Sequence, residues 1–269
     1  MSDYGCMVQR DQLALTRPVS PSFDRCELTH LERQPIDADR ARRQHEAYEA
    51  ALRACGLTVH RLPEAPDLPD AVFVEDAGVV VDEVAVATRP GAASRRDEVA
   101  SVMAALARWR RVVRIEAPAT LDGGDVLRVG RRVWVGRSSR SDARGIEQLA
   151  AALAPHGYEV RAIDVRGCLH LKSAVTAVGE GMLLANTAWI DPAAFGDLEV
   201  VEVDPAEPAA ANALWTGSRV IYAAAYPRTA DRLAARHVSL EVVEVDELAK
   251  AEGAVTCCSI LLVVPGTAR

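Results

Sequence analysis

Four short polar motifs in this chain of 269 residues contain side chains that could act together in catalysis. They are Phe73-Val74-Glu75-Asp76, Leu121-Asp122-Gly123-Gly124-Asp125, His170-Leu171-Lys172-Ser173 and Thr256-Cys257-Cys258-Ser259. A cysteine with a distant histidine and an acid is a set of groups that supports nucleophilic catalysis by a thiolate. The motifs therefore predict a cysteine nucleophile, provided that the fold brings them together.

Each motif also has a structural alternative. A histidine in front of an apolar strand is more often structural than catalytic, and a buried cysteine in a strand is usually inert. Glu75 and Asp76 are harder to explain as core residues. If Val72–Asp82 is a strand, adjacent side chains alternate between its faces, so one of the two acids points inward. An inward carboxylate needs a partner, and a cationic ligand would be one.

The elements that position these motifs recur in the order strand, strand, helix, strand, with a period of about 45 residues. The first copy is predicted at Val72–Asp82, Glu83–Thr88, helix Ser94–Trp109 and Arg111–Ile115. The other predicted copies are Gly124–Val129, Arg132–Gly136, helix Ser141–His156 and Tyr158–Ile163; His170–Val178, Gly181–Asn186, helix Pro192–Phe195 and Leu198–Val203; Ser218–Ala224, helix Thr229–His237 and Ser239–Val245; and Cys257–Val264, Leu13–Arg17, helix Asp37–Cys55 and Leu57–Leu62.

This pattern predicts an α/β fold in which five pseudo-symmetric ββαβ repeats form a closed ring within one domain, residues 1–269. Pairing of the C-terminal strand with the N-terminal strand would close the ring and leave no sheet edge at the junction. The four motifs occupy equivalent places in their repeats, near the start of the first or second strand. They are therefore expected to meet at one mouth of the central channel.

Composition excludes several other classes of protein. The formal net charge of −7 gives no basic surface for nucleic acid. No apolar run approaches the ~20 residues that span a bilayer, and the N-terminus lacks the layout of a signal peptide, so we expect a cytoplasmic protein without membrane or nucleic-acid partners. The six cysteines include no CxxC pair that would suggest zinc. Cys6, Cys26 and Cys55 are interpreted as small apolar residues.

With these motifs the chain resembles the dimethylarginine dimethylaminohydrolases of the guanidino-group-modifying (pentein) superfamily. The resemblance covers essentially the whole chain. It rests on five blocks in order: Leu68-Pro69-Asp70 with Phe73–Asp76, Arg89–Ala92 with Ser94-Arg95-Arg96, Thr120–Val126, Gly167–Ser173 and Thr256–Ser259. It implies a five-bladed ring of ββαβ units, also called an α/β propeller, and hydrolysis of methylated arginine to citrulline and a methylamine without metal or cofactor.

The resemblance also implies roles for individual residues. Cys257 would be the nucleophile, His170 the acid/base and Asp122 the carboxylate that supports His170. The implied substrate contacts are Asp76 at the guanidinium, Asp70 and Glu75 as further polar contacts, Arg95 and Arg140 at the α-carboxylate, and Leu28 in a lid loop. Acids at one end of the site would suit the cationic guanidinium of such a substrate. Arginines at the other end would suit its α-carboxylate.

Other activities of the same fold remain open. Arginine deiminases carry His-x-Asp where this chain has Lys172, and the missing acid would leave room for methyl groups on the terminal nitrogen. They are also longer, and agmatine deiminases end on a Gly-rich His-Cys motif that is absent here. Amidinotransferases, and a guanidino-compound binding protein that has lost catalysis, are further alternatives. The sequence does not predict an oligomeric state.

Overall fold

In the computed structural model, which describes residues 10–265, fifteen strands form five three-stranded sheets. In each sheet the middle strand pairs antiparallel with the inner strand and parallel with the outer strand. From inner to outer strand, the sheets are β15 (Ile260–Pro265), β1 (Arg10–Thr16) and β2 (Thr58–Arg61); β3 (Gly78–Val80), β4 (Val84–Ala87) and β5 (Arg111–Arg114); β6 (Val126–Val129), β7 (Arg132–Arg137) and β8 (Glu159–Asp164); β9 (Val175–Gly179), β10 (Met182–Ala185) and β11 (Glu199–Glu202); and β12 (Ala213–Trp215), β13 (Val220–Ala223) and β14 (Leu240–Val243).

The five sheets are the blades of a ring. A central channel of about 300 Å³ is lined by residues of all five inner strands, among them Val79, Leu127, Thr176, Leu214 and Leu261. Strand β15 pairs with β1, so the two ends of the described chain share one blade. The predicted five-bladed α/β ring is therefore confirmed, including its closure by the first and last strands.

Helices connect the middle and outer strands of four blades. The α-helices are α1 (Ala38–Ala54), α2 (Glu98–Leu106), α3 (Ala143–Leu153), α4 (Leu171–Ala174), α5 (Pro227–Ala234) and α6 (Asp246–Ala249). The prediction for α1 is confirmed at both ends. Asp37 caps it by accepting a hydrogen bond from the backbone of Arg40, and Gly56 follows it at a left-handed φ of +90°.

The core consists of apolar clusters between neighbouring blades. In one of them Val86 of β4, Val135 of β7 and Leu149 of α3 are completely buried. Cys26 and Cys55 belong to another cluster, which confirms their interpretation as apolar residues, whereas Cys6 lies outside the described residues. Within residues 10–265, no helix has both the length and the apolar character needed to cross a membrane.

The four chemical motifs differ from the prediction, because each precedes its inner strand instead of belonging to it. A 3-10 turn at Val74–Ala77 occupies the start of the predicted strand Val72–Asp82, and another at Gly123–Asp125 precedes β6. His170 precedes the one-turn helix α4, and Cys257 lies in a turn before β15.

Other boundaries also differ from the prediction. Helix α2 begins at Glu98, because Ser94 lies in a 3-10 turn and its hydroxyl donates to the Glu27 carboxylate instead of capping the helix. Strand β12 was not predicted, since three residues are too few to show an alternating pattern. The predicted helix Pro192–Phe195 is a single 3-10 turn.

Candidate active site

Residues of three motifs, among them Asp76, His170 and Cys257, line one small cavity, and Asp122 of the remaining motif bonds to His170. The charged, titratable and nucleophilic side chains that line the cavity are Glu27, Asp70, Asp76, Arg95, Arg140, His170, Glu252 and Cys257. They come from the turns in front of three inner strands and from the loops that cover them. The predicted convergence of a cysteine, a histidine and several carboxylates is therefore present in the structure.

His170 and Asp122 form a buried pair at the side of this cavity. The imidazole Nε2 lies 3.0 Å from Oδ2 of Asp122, and the other carboxylate oxygen accepts a hydrogen bond from the Gly91 backbone at 2.8 Å. Burial alone would lower the pKa of His170, but Asp76 and Asp122 outweigh it and raise the pKa to about 9. The imidazole is thus protonated at neutral pH and held by a fixed carboxylate, as a general acid requires.

The glycine pair between Asp122 and Asp125 allows these groups to approach closely. A Cβ atom on Gly124 would lie 2.7 Å from Nδ1 of His170 and 2.8 Å from a carboxylate oxygen of Asp76. A Cβ on Gly123 would lie 1.9 Å from the backbone oxygen of Glu75. The two glycines are therefore required by the packing of the site and not only by the turn.

Asp76 lies between two cationic side chains. Its Oδ1 accepts a hydrogen bond from the Gly124 backbone at 2.9 Å and lies 4.0 Å from Nδ1 of His170, while Oδ2 pairs with Arg95. Burial alone would raise the pKa of the Asp76 carboxyl, but His170 and Arg95 hold it well below its usual range. An ionised carboxylate at this point is suited to a guanidinium cation.

Arg95 is more extensively paired than the sequence suggested. Its Nε and Nη2 donate to both carboxylate oxygens of Glu98 at 3.1 and 2.8 Å, and Nη2 also donates to the backbone of Phe73. Glu98 was not singled out from the sequence, although its spacing of three residues from Arg95 is typical of a helical ion pair. Arg95 therefore has fewer guanidinium N–H groups available to a ligand than Arg140 has.

Cys257 and Cys258 have different surroundings despite being adjacent. Cys257 is half-buried and lines the cavity, whereas Cys258 is completely buried in the apolar cluster that contains Tyr48. Burial raises the pKa of the Cys257 thiol to about 12, with further contributions from the negative charges of Glu75 and Asp76. Cys257 is thus the thiol at the site, and it is neutral at physiological pH.

A loop covers the cavity and is held by groups that line it. Three successive backbone amides, of Thr29, His30 and Leu31, donate to the carboxylate of Glu252. Nη2 of Arg140 also donates to the Thr29 hydroxyl at 2.7 Å. Glu252 has a left-handed φ of +58°, which no feature of the sequence indicated. The space left inside is only about 20 Å³, which holds about one water molecule and not an arginine-sized molecule.

Asp70 anchors the same loop from the other side. It is 5% exposed, lines the cavity, and accepts a hydrogen bond from the backbone of Glu27 at 3.0 Å. Burial raises the pKa of its carboxyl, while the nearby Arg95 acts in the opposite direction. Leu28, the next residue of the loop, packs on the apolar cluster and is absent from the lining of this cavity.

The expected substrate contact of Glu75 differs from what the structure shows. Glu75 turns away from the cavity, and its carboxylate pairs with Nζ of Lys172 at 2.6 Å and with the Thr256 hydroxyl at 2.8 Å in the central channel. Neighbouring residues of a tight turn point in different directions, which separates Glu75 from Asp76. Lys172 also lies in the channel and does not line the cavity, so position 172 places no carboxylate there.

One group of side chains in the described part of the chain could hold a metal ion by its spacing. Ligand atoms of Asp76, Asp122 and His170 all lie within 4.8 Å of one another. Each already has a protein partner, since Asp76 pairs with Arg95 and Asp122 bonds to both Gly91 and His170. We assign this group to acid–base chemistry.

Sequence comparisons identify similar proteins of known name. The family model described as N,N dimethylarginine dimethylhydrolase, eukaryotic, matches residues 26–194. An N(G),N(G)-dimethylarginine dimethylaminohydrolase of Streptomyces coelicolor is 44% identical over 251 residues, which are 93% of this chain and 96% of that protein. The protein of the same name from Pseudomonas aeruginosa is 37% identical, over 83% of this chain and 89% of its own length.

Solved structures show the same fold. The Pseudomonas aeruginosa enzyme, as a cysteine-to-serine variant complexed with citrulline, superimposes with a TM-score of 0.89 at 33% identity, covering 93% of this chain and 98% of that one. The N-terminal domain of ArgZ, a cyanobacterial arginine dihydrolase bound to product, gives a TM-score of 0.84 at 21% identity over 93% and 97% of the two chains. At that identity the second likeness concerns the fold alone.

Proposed function

Since this chain belongs to the dimethylarginine dimethylaminohydrolase family, we propose that it hydrolyses Nω-methylated arginine to citrulline and dimethylamine or methylamine. The observation that carries the proposal is the meeting of Cys257, the His170–Asp122 pair and Asp76 in one cavity. A thiol, a protonated imidazole and a carboxylate for a cation are the groups that this reaction needs. No metal or cofactor takes part in the proposed steps.

Charge distribution supports a zwitterionic substrate with a cationic end. Asp76 faces the guanidinium, and Asp70 is a carboxylate for the α-ammonium group. Arg140 binds the α-carboxylate, since its partner in the closed loop is a neutral hydroxyl that a carboxylate can replace. Arg95 supports Asp76 in addition to its implied contact with the carboxylate. Glu75 acts indirectly, from the channel.

The neutral thiol of Cys257 is activated by the substrate itself. The positive guanidinium, bound beside Asp76, offsets the negative charges that raise the thiol pKa, so the thiol releases its proton to water and becomes the thiolate. The thiolate sulfur then bonds to the guanidinium carbon. As the bond from that carbon to the departing nitrogen breaks, His170 donates a proton to the amine, which leaves, and a thiouronium remains on Cys257.

The second half of the reaction regenerates the enzyme. His170 is now neutral and removes a proton from water, whose oxygen bonds to the thiouronium carbon. The carbon–sulfur bond breaks and the remaining hydroxyl proton passes to the sulfur, which releases citrulline and returns the neutral Cys257 thiol. His170 ends protonated, ready for another cycle, and Asp122 holds its ring in place through both transfers.

Entry and release require the loop that carries Leu28 to open. We assign Leu28 to this lid, where its backbone and side chain come to the ligand only when the loop rearranges. The proposal treats residues 1–269 as one catalytic domain, because strands from both ends of the described chain complete one blade. It also places the enzyme in the cytoplasm, where the unpaired cysteines at positions 26, 55, 168, 257 and 258 stay reduced.

Arginine deimination and ligand binding without catalysis are the alternatives. Position 172 supplies no acceptor to the cavity, so unmethylated arginine would leave a buried N–H unsatisfied, at a cost of about 1–3 kcal/mol. Methyl groups avoid this cost and add about 0.8 kcal/mol each by burial. Together these effects predict on the order of a hundredfold higher kcat/KM for asymmetric dimethylarginine than for arginine.

A substrate panel tests the proposal. Citrulline, ammonia and the methylamines are measured after incubation with arginine, monomethylarginine, both dimethylarginines and agmatine. We expect citrulline and dimethylamine from the asymmetric dimethylated substrate. Equal turnover of arginine, with release of ammonia, would identify a deiminase. Binding of the panel without any citrulline would identify a binding protein.

A further inference from the structure

Asp125 is a buried acid that takes no part in the reaction described above. It ends the 3-10 turn before β6, is completely buried, and does not line the catalytic cavity. A carboxylate in such a place is unfavourable unless hydrogen bonds replace its lost water. Among residues 10–265, no lysine or arginine lies within ion-pair distance of it, so its partners must account for its presence.

Three donors surround the Asp125 carboxylate. Oδ1 accepts a hydrogen bond from the backbone of Leu171 at 2.9 Å, and Oδ2 accepts from the hydroxyls of Ser138 and Ser141, both at 2.6 Å. Burial raises the pKa of this carboxyl, while the positive His170 and these donors act in the opposite direction. Partners that all donate are the surroundings of an ionised carboxylate.

Each of the three bonds leads to a different residue of the catalytic site. Leu171 directly follows His170, so Oδ1 fixes the main chain that carries the imidazole. The Ser141 hydroxyl in turn accepts the backbone N–H of Asp122 at 3.0 Å. The Ser138 hydroxyl accepts the backbone N–H of Arg140 at 3.0 Å. One carboxylate thus connects the acid/base, its supporting acid and the proposed carboxylate-binding arginine.

We propose that Asp125 is a positioning residue, whose buried carboxylate holds His170, Asp122 and Arg140 in their relative places. The connection crosses from the blade of β6 and β7 to the blade of β9, where His170 enters. The inference rests on the proposed function for its kinetic consequences. Its geometric and electrostatic parts concern this chain whatever its substrate is.

The electrostatic part depends on all the charged groups around the imidazole. Asp76 and Asp122 are the nearest acids, with Arg95 behind the first and Arg140 behind the second, and Cys257 lines the same cavity. Asp125 is a third acid that raises the pKa of His170 against the effect of burial. Removing its charge should therefore lower that pKa while the other groups stay in place.

The test compares Asp125→Asn with Asp142→Asn in the same blade. Asn keeps the shape of Asp125 and removes its charge. Asp142 is a helix cap that accepts from the backbones of Gly145 and Thr120, and it serves as the structural control. Circular dichroism and thermal melting report folding, the pKa of His170 is measured by NMR titration of its ring, and kinetics are measured over a pH series with asymmetric dimethylarginine.

For Asp125→Asn we expect the His170 pKa to fall by about one pH unit and kcat to fall on the order of tenfold to a hundredfold. The control should change neither the His170 pKa nor kcat, because the side-chain oxygen of the introduced asparagine can still accept both backbone hydrogen bonds. A folded Asp125→Asn protein with the wild-type His170 pKa and kcat would overturn the inference. Wild-type protein that releases no citrulline would instead contradict the proposed function, and the NMR titration would still decide the role of Asp125.

Single hydroxyl deletions keep the inference testable if Asp125→Asn does not fold. Ser138→Ala should raise KM for methylated arginine about tenfold with a smaller change in kcat, because it releases the backbone N–H groups of Arg140 and Ser141. Ser141→Ala should lower kcat with KM nearly unchanged, because it releases Asp122. Identical changes in both variants would mean that the network does not position these residues separately.

Discussion

Acidic and basic side chains meet in different ways in the central channel and in the catalytic cavity. In the central channel Glu75 is satisfied by Lys172 and Thr256, and the space around them is about 300 Å³. In the catalytic cavity four carboxylates, two arginines and an imidazole surround a thiol, and the free space is about 20 Å³. The larger cavity is therefore not the reacting one.

The difference shows what distinguishes a reactive cluster from a stabilising one. In the channel, Glu75 and Lys172 neutralise each other, and the residues described as lining it include no cysteine. In the cavity, the pKa of His170 is raised and that of Cys257 is raised further, so the free enzyme holds an acid and an unreactive thiol. In the proposed reaction, the positive charge of the substrate favours the Cys257 thiolate. The excess of acids in the cavity serves to bind that positive charge.

The largest expected effect separates the two adjacent cysteines. Cys257→Ser should lower kcat by at least about a thousandfold, because a hydroxyl is a far weaker nucleophile at this site. Cys258→Ala should keep most activity and lose stability, since its thiol is packed in the core. Steady-state kinetics and thermal melting of both variants check this. If Cys258→Ala lost more turnover than Cys257→Ser, the assignment of Cys257 as the nucleophile would be wrong.

Removal of the proposed general acid, His170, should have the next largest effect on turnover. His170→Asn should lower kcat on the order of a hundredfold to ten-thousandfold. In the wild type, turnover should fall as the pH rises through about 9, because deprotonation of His170 removes the proton for the leaving amine. The variant should lack this limb of the pH profile. A histidine that can be replaced without loss would be structural.

Two variants in the cavity should have different effects on substrates with and without an α-carboxylate. Asp76→Asn should impair turnover of every guanidine on the order of a hundredfold. Arg140→Ala should raise KM for methylarginine about tenfold or more and leave a simple alkylguanidine nearly unaffected, since only the former has an α-carboxylate. Equal losses with both substrates in both variants would contradict the assignment of the ends.

The smallest effect on catalysis is expected from a substitution in the central channel. Lys172→Met should lower the free energy of unfolding by about 3 kcal/mol, because it leaves Glu75 buried without its cation. Its kcat should fall less than about tenfold, and Glu75→Gln in the same protein should restore stability. Urea unfolding and kinetics of the single and double variants measure both quantities. A loss of kcat as large as that of Asp76→Asn would place Lys172 in the catalytic site.

The sequence predicted the ring because its signals are local and repeated. Helix α1 has an N-terminal cap at Asp37 and a stop at Gly56, and the strands alternate with helices in a constant order. Family membership is likewise confirmed by the relatives that match most of the chain. The roles of Cys257, His170 and Asp122 stay predictions, although the structure brings the three residues together.

Directions of side chains at the motifs were less predictable. Alternation in a strand could not separate Glu75 from Asp76, because these residues lie in a turn whose direction depends on contacts with other blades. One such contact is the bond from the Glu75 backbone N–H to the Cys257 carbonyl at 3.1 Å. Glu252 and Asp125 act through partners far away in the sequence, so no spacing rule could reveal them.

Trapping of the covalent intermediate tests the central claim most directly. The protein is quenched in acid during turnover of asymmetric dimethylarginine, digested, and the peptide that carries Cys257 is analysed by tandem mass spectrometry. The account predicts a thiouronium adduct on Cys257 in the wild type, and none on that residue in Cys257→Ser. Citrulline release with an adduct on another cysteine, or with no adduct under any quench time, would contradict it.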